Sequence, residues 1–280
     1  MKILHPTDFS ATAAKAYQLA TDLSQRFDAK LDTVFVQQHY ESLPPTPKSA
    51  QTSFHLDHAK RAEEAKEAET EHYRSRLEYF TSDGGEAHLL WGEPVAKLLE
   101  LSENYDLIVM GAHGANRLDN FFLGGVAGRL VRRSSVPILT VRDEAQTRSI
   151  KKLLVATDFS EAAKHAWSWV QKFADKGIEL STVHVIDEAS LQIEKGYITA
   201  VTEALELYSQ GKAVHELVHN GDVVSDLPRL AKELGADAIV LGIRHHKNTL
   251  GLLLGSQADR LLRSSPVPIL SIPYADEAED

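Results

Sequence analysis

The chain repeats itself, and this internal repeat constrains its fold more than any other feature of the sequence. Lys2–Ser10 (KILHPTDFS) returns as Lys152–Ser160 (KLLVATDFS), and Leu31–Val36 (LDTVFV) returns as Leu180–Val185 (LSTVHV). Self-similarity of this kind is the sequence signature of a duplicated structural unit. The sequence therefore predicts that the two halves of the chain share one fold.

The longest match lies late in each half, where Gly111–Val141 aligns without a gap with Gly242–Ile272. Because the matched blocks occur in the same order, the chain is expected to form one domain over residues 1–145 and a second over 150–280. Each has a usual size for a domain, which is ~100–200 residues. The first half carries extra residues, and they fall within 37–85.

Charge and cysteine content exclude several classes of protein. The net charge of −10, from 30 basic and 40 acidic side chains, argues against binding to nucleic acid or to an anionic membrane. Without cysteine there is no disulfide, no thiolate nucleophile and no cysteine-ligated metal. The N-terminus lacks the apolar core of a signal peptide, and no apolar run approaches the ~18 residues of a transmembrane helix, so a cytoplasmic location is expected.

Apolar strands alternate with helices along each half, which predicts an α/β fold with a parallel sheet covered by helices on both faces. Ser10 is placed to cap the first helix. The predicted strands of the first half are Ile3–Pro6, Leu31–Val36, Ala87–Trp91, Leu107–Gly111 and Pro137–Val141. Its predicted helices are Ala11–Phe27, residues 55–81, Pro94–Asn104 and Gly125–Arg133.

Three segments of the first half follow strands or open a helix, at the edge where such a fold binds ligands. They are Thr7 with Asp8, Gly111–Gly114, and Gly124–Val126. Glycine lets the backbone approach a phosphate without a Cβ clash, and a helix N-terminus offers unpaired N–H groups to an anion. The Asp8 carboxylate can accept a hydrogen bond from a ribose hydroxyl or a base amino group. These segments predict a nucleotide site.

The glycine spacing resembles the pattern G-x2-G-x9-G-[ST] of the ATP-binding members of the universal stress protein family. Gly111, Gly114 and Gly124 match the three glycines, and Gly125 stands at the hydroxyl position. The TDFS segments and the VPIL strands, each present twice, also resemble that family. The resemblance covers nearly the whole chain except part of 37–85.

This resemblance implies the tandem form of the family, with two doubly wound domains. Each domain would be a five-stranded parallel sheet of order 3-2-1-4-5 with helices on both faces. The last strands, Pro137–Val141 and Pro268–Ile272, would pair the domains within one chain. The same resemblance implies a homodimer of such chains.

The resemblance further implies a stress-response protein that binds ATP, alone or with magnesium, as a regulatory ligand. No catalytic residue is expected, and at most weak ATP hydrolysis. The implied first site comprises Pro6, Thr7, Asp8, Val36, Met110, Gly111, His113, Gly114, Gly124, Gly125 and Val126. The implied second site comprises Thr157, Asp158, Val185, Gly242, Arg244, His245, Gly255, Ser256 and Gln257.

Each site departs from the family pattern at a different position. The first lacks the hydroxyl at Gly125, which removes one hydrogen bond, whereas the second has His245 at the second glycine position. A bulky ring in a close-packed site costs more than one lost neutral hydrogen bond, so ATP is expected chiefly in the first domain. Alternatively, His245 or Arg244 pairs with the phosphates.

Two further readings stay open. The glycines could persist only because the turns need them, leaving a scaffold protein with vestigial sites that binds a partner through its insert.

Residues His215–His219 (HELVH) match the zinc-protease pattern H-E-x-x-H, which requires a helix. Because the segment aligns with the strand Ala87–Trp91, its two histidines would lie ~13 Å apart, and no metal site is expected.

Overall fold

In the computed structural model, residues 1–38, 53–81, 85–113, 125–146, 149–186, 195–245 and 255–275 are described. The strands of the first half are β1 (Lys2–Pro6), β2 (Lys30–Gln37), β3 (Ala87–Trp91), β4 (Leu107–Gly111) and β5 (Ile138–Val141). Those of the second half are β6 (Lys152–Ala156), β7 (Glu179–Ile186), β8 (His215–Asn220), β9 (Ala238–His245) and β10 (Ile269–Ala275).

Helices connect these strands in each half. The helices of the first half are α1 (Ala11–Phe27), α2 (Ser53–Glu78), α3 (Pro94–Ser102) and α4 (Gly125–Arg133), with a 3₁₀ turn at Tyr79–Thr81. Those of the second half are α5 (Glu161–Ala174), α6 (Lys195–Ser209), α7 (Val223–Glu233) and α8 (Ser256–Ser264). Most of the predicted elements of the first half begin and end within a residue or two of these bounds.

The strands form one sheet of ten, in the order β3-β2-β1-β4-β5-β10-β9-β6-β7-β8. Within each half the pairings are parallel, and the order is the predicted 3-2-1-4-5. Among the strands that the structure describes, only β5 and β10 run antiparallel to each other, with Leu139 opposite Leu270. The two halves therefore join along their last strands, as the resemblance implied.

Apolar side chains are buried on both faces of this sheet. One core cluster contains Leu19 and Leu23 of α1 together with Phe173 of α5, and the edge of the Phe27 ring meets Phe173 at 4.9 Å between centroids. The other cluster lies under α3, α4, α7 and α8. Because each cluster includes residues of both halves, the hydrophobic core is continuous across the junction.

The TDFS segment builds the turn between the first strand and first helix of each half. Ser10 accepts a hydrogen bond from the N–H of Ala13 at 3.1 Å and so caps α1, as predicted. Just before the cap, Phe9 and its counterpart Phe159 have φ of 62° and 63°, a conformation unusual for a bulky side chain. Thr7 Oγ1 stabilises that turn by accepting from the N–H of Phe9 at 3.0 Å.

Candidate ligand-binding site

Each half has a cavity at the carboxyl ends of its parallel strands. The strand order reverses between β1 and β4 in the first half and between β6 and β9 in the second. The cavities open at these two places, with volumes of about 550 Å³ in the first half and about 650 Å³ in the second. Ligands of doubly wound α/β proteins bind at this topological position.

A carboxylate is fixed at the edge of each cavity by the TDFS turn. Asp8 Oδ1 accepts from the N–H of Ser10 at 3.0 Å, and Asp158 Oδ1 accepts from Ser160 at the same distance. Both side chains line their cavities. Each cavity thus has an oriented acceptor for hydroxyl or amino groups.

Each cavity also has an apolar wall. In the first cavity it includes Val34 and Val36 of β2 and Leu98 of α3. In the second it includes Val185 of β7 and Leu227 of α7. An apolar wall beside a few convergent polar groups is the usual composition of a small-molecule site.

A helix begins at the rim of each cavity. The first turn of α4 contributes Gly125 and Val126, and that of α8 contributes Ser256 and Gln257. Gly255 precedes α8 without any side-chain cap, so the helix presents unsatisfied backbone N–H groups there. Together with the helix dipole, these groups favour an anion.

Packing within the fold requires glycine at one site position, Gly242, and leaves little room at a second, Gly111. A Cβ at Gly242 would overlap the carbonyl group of Ala162 in α5, and a Cβ at Gly111 would lie 3.1 Å from Thr12 Cγ2 in α1. At Gly125, by contrast, a Cβ would meet nothing within 4 Å. Close packing can therefore account for glycine at Gly242 and Gly111 even without a ligand. It does not account for glycine at Gly125.

His245 does not lie where the sequence analysis expected it. Its ring is absent from the lining of the second cavity, and Nε2 lies 3.2 Å from the carbonyl oxygen of Val131 in α4. The predicted crowding of a ligand by His245 is therefore not seen. Burial of the ring also lowers the pKa of His245, which opposes the protonation that would attract phosphate.

The cavities bring together most of the remaining predicted residues, whose role in binding stays a prediction. The first is lined by Pro6, Thr7, Asp8, Val36, Met110, Gly111, His113, Gly125 and Val126. The second is lined by Thr157, Asp158, Val185, Gly242, Arg244, Gly255, Ser256 and Gln257. Gly114 and Gly124 lie outside the described residues.

Sequence reasoning missed several lining residues. Among them are Phe35, Gln37 and Pro94 in the first cavity and His184 and Val223 in the second. Pro94 and Val223 open the helices that follow β3 and β8, and those helix starts were recognisable from the sequence. The others stand at the ends of β2 and β7, next to Val36 and Val185, which had been identified.

The HELVH segment is a strand, as predicted. His215 and His219 belong to β8, which pairs in parallel with β7. His219 Nε2 lies 3.2 Å from Asp226 Oδ2, beside Arg229. Within the described ranges, no group of three histidine, aspartate or glutamate side chains could hold a metal ion.

The chain thus consists of two doubly wound domains, each with a cavity at its topological switch point. Residues 1–142 and 149–273 each match the sequence model of the universal stress protein family. The chain belongs to this family, and hence to a group of stress-response proteins. Across the described residues, no helix is both long and apolar enough to cross a membrane.

Relatives support the same assignment. The universal stress protein Rv2005c of Mycobacterium tuberculosis is 24% identical over 210 residues, which cover 66% of this chain and 67% of that protein. The universal stress protein MJ0531 of Methanocaldococcus jannaschii is 30% identical over 145 residues, covering 50% and 81%. A universal stress protein from Archaeoglobus fulgidus shares the fold, with a TM-score of 0.69, 24% identity and coverage of 97% and 98%.

Proposed function

We propose that this chain binds an adenine nucleotide in the cavity of each half and that the nucleotide is a regulatory ligand in a stress response. One observation carries the proposal. In both halves an oriented aspartate, an apolar wall and a helix N-terminus meet around a cavity of several hundred cubic ångströms. These three features complement the ribose, the base and the phosphates of a nucleotide, respectively.

The chemistry of binding follows from the residues. Asp8 and Asp158 accept hydrogen bonds from ribose hydroxyls or from the base amino group. Val36 and Val185 contact the face of the base. The first turns of α4 and α8 donate backbone N–H groups to phosphate, which is the usual way that a helix N-terminus binds this anion.

The lining does not favour phosphoryl transfer. Among the described residues of either cavity there is no lysine to reach the terminal phosphates, as there is in P-loop enzymes. We therefore propose ATP as a ligand with at most slow hydrolysis. Magnesium would accompany ATP as a counterion to its phosphates, and titrations with and without it measure that contribution.

Both cavities are included in the proposal because the reason for favouring the first is gone. The sequence predicts tighter binding in the first half because His245 would crowd the second site. With the His245 ring against Val131, no steric argument separates the two halves. Ser256 also keeps in the second half the hydroxyl that Gly125 lacks in the first.

Isothermal titration of the full chain with ATP, with and without magnesium, tests the proposal. We expect two binding sites for ATP in the unchanged chain. Asp8→Ala and Asp158→Ala should each leave one detectable site, because each removes the acceptor of one cavity. The double variant should show no binding. The matched control is Asp175→Ala, which removes the same charge from the opposite end of α5. Unchanged heats in the double variant would place the site elsewhere.

A scaffold protein with vestigial sites is the competing function. It is favoured by Gly242, which the packing of β9 against α5 requires whether or not a ligand binds. Absence of any heat on adding ATP to the folded chain would support it. Partner binding by the insert would then be the activity to seek.

The homodimer and the cytoplasmic location stay predictions. Because β5 and β10 pair with each other inside the chain, neither offers the free edge through which two separate domains would pair. The outer strands of the sheet are β3 and β8. Sedimentation of the full chain at several concentrations distinguishes a monomer from a dimer formed through another surface.

A further inference from the structure

The linings of the two cavities differ in polarity at equivalent positions beside the fourth strand and the last helix of each half. At three of these positions the second cavity has a side chain with more polar or charged character than the first. The pairs, first cavity before second, are His113 and Arg244, Gly125 and Ser256, and Val126 and Gln257. The aspartates at the ends of β1 and β6 are the same in both. The repeat therefore provides an internal comparison of two sites on one fold.

The largest difference is Arg244, whose counterpart in the first cavity is His113. Both follow a glycine at or near the end of the fourth strand of their half, and both line their cavities. A guanidinium stays charged at every physiological pH and presents a planar fork of donors that matches phosphate oxygens. An imidazole has two ring nitrogens in place of this fork of five donors, so it matches phosphate oxygens less well.

The two helix starts reinforce this difference. Ser256 opens α8 and brings a hydroxyl to a turn whose backbone N–H groups have no side-chain cap, and Gln257 adds an amide. Gly125 and Val126 open α4 and bring no polar side chain. The second cavity can thus hold more phosphate oxygens than the first.

We propose that the two cavities differ in their selection for phosphate charge, with Arg244 as the specificity-determining residue. The second cavity prefers a nucleoside triphosphate to a monophosphate, whereas the first binds the two with similar affinity. This inference rests on the proposed function, because it names the ligand class of each site. The chain would then respond to the ratio of highly to weakly phosphorylated nucleotides.

Titration of ATP and of AMP into variants with one cavity blocked tests the inference. Gly125→Trp blocks the first cavity and Gly255→Trp the second, and a Cβ at either glycine meets nothing within 4 Å. With only the second cavity open, we expect ATP to bind about tenfold more tightly than AMP, as one charge-assisted contact would give. With only the first open, the two affinities should agree within about threefold.

Exchange of the two residues provides a second measurement that does not depend on the tryptophan variants. In an otherwise unchanged chain, Arg244→His should lower the ATP-to-AMP affinity ratio of one site about tenfold, and His113→Arg should raise that of the other. Circular dichroism establishes that each variant is folded.

The outcomes separate the two proposals. Equal ATP-to-AMP ratios in both cavities, or a ratio that Arg244→His leaves unchanged, would overturn the inference while the binding itself supports the proposed function. If neither nucleotide binds the unchanged chain, the proposed function fails and the inference fails with it.

Discussion

The imidazole of His245, the last residue of β9, is hydrogen-bonded to the carbonyl oxygen of Val131 in α4, with 3.2 Å between Nε2 and that oxygen. A side chain of the second half thereby contacts the helix that borders the cavity of the first. Since a carbonyl only accepts, Nε2 carries the proton of this bond. The contact explains why a residue at a family glycine position need not obstruct its own cavity.

His245→Ala tests this arrangement. We expect the free energy of unfolding to fall by about 1 kcal/mol, because one partly buried hydrogen bond is lost. The affinity of the second cavity for ATP should change by less than about twofold, since the ring does not line it. Urea unfolding and calorimetric titration measure the two quantities. His215→Ala, on the exposed part of β8, is the control, and a clear gain in ATP affinity for His245→Ala would restore the crowding hypothesis.

His5 makes the fold sensitive to acid. It is fully buried in β1, Nδ1 donates to the carbonyl oxygen of Val109 at 2.9 Å, and burial lowers its pKa to about 4. Because the folded pKa lies below the unfolded value of 6.5, the unfolded chain binds the proton first. This contribution to stability is present above about pH 6.5 and is lost as the pH falls to 4.

At about 1.4 kcal/mol per pH unit, this one group accounts for roughly 3 kcal/mol of lost stability at pH 4. Val155 occupies the equivalent position in β6 and is equally buried, so His5→Val is the matched variant. We expect the variant to lose about 3 kcal/mol less than the unchanged chain between pH 7 and pH 4. Urea unfolding at each pH measures the stability of both proteins. If their stabilities fall equally between pH 7 and pH 4, His5 does not titrate in this range.

The site glycines should differ in their tolerance of a methyl group. Gly242→Ala forces a Cβ into the carbonyl group of Ala162, so we expect a loss of about 2–3 kcal/mol from overpacking. Gly111→Ala should cost less, because its nearest neighbour is a methyl group at 3.1 Å. Gly255→Ala has open space and should stay within about 0.5 kcal/mol. Thermal unfolding ranks the three, and a different order would contradict the packing described for β9 and α5.

Asp259 joins the two halves through Arg132 and also pairs with Arg263 of its own helix. Its Oδ2 accepts from Arg263 Nε at 2.7 Å within α8, and its Oδ1 pairs with Arg132 of α4. Asp259→Ala leaves two cations facing each other in a partly buried junction, so we expect a loss of about 2 kcal/mol. Glu100→Ala breaks the exposed pair with Lys97 and should cost at most about 0.5 kcal/mol. Equal effects of the two variants would show that the junction pair is no stronger than a surface pair.

Much of the fold followed from the sequence because it depends on backbone patterns. The short apolar run Leu107–Gly111 indicated a buried strand. The match between His215–His219 and Ala87–Trp91 identified a second strand in spite of the zinc-like motif. Strand order and domain pairing came from the family resemblance. Nothing in composition or periodicity alone distinguishes this order from other doubly wound arrangements.

The sequence could not predict the side-chain directions that depend on packing between the halves. Whether His245 points into its cavity or toward Val131 is decided by the pairing of β5 with β10, which brings α4 close to the end of β9. Arg244, its neighbour in the chain, lines the cavity instead. Adjacent residues of a strand point to opposite faces, but their environments belong to the assembled fold.

Through the pairing of β5 with β10, the two halves of this chain are arranged like the subunits of a dimer. Unlike separate subunits, the halves cannot dissociate, and their sequences can differ. The partner of each half is present at any dilution, because covalent linkage fixes their effective concentration. In a dimer of identical chains, any substitution appears at both sites at once. Here Asp259 of the second half forms an ion pair across the junction, whereas the equivalent residue of the first half is Gly128. Gene duplication and fusion thus let natural selection act on each cavity separately.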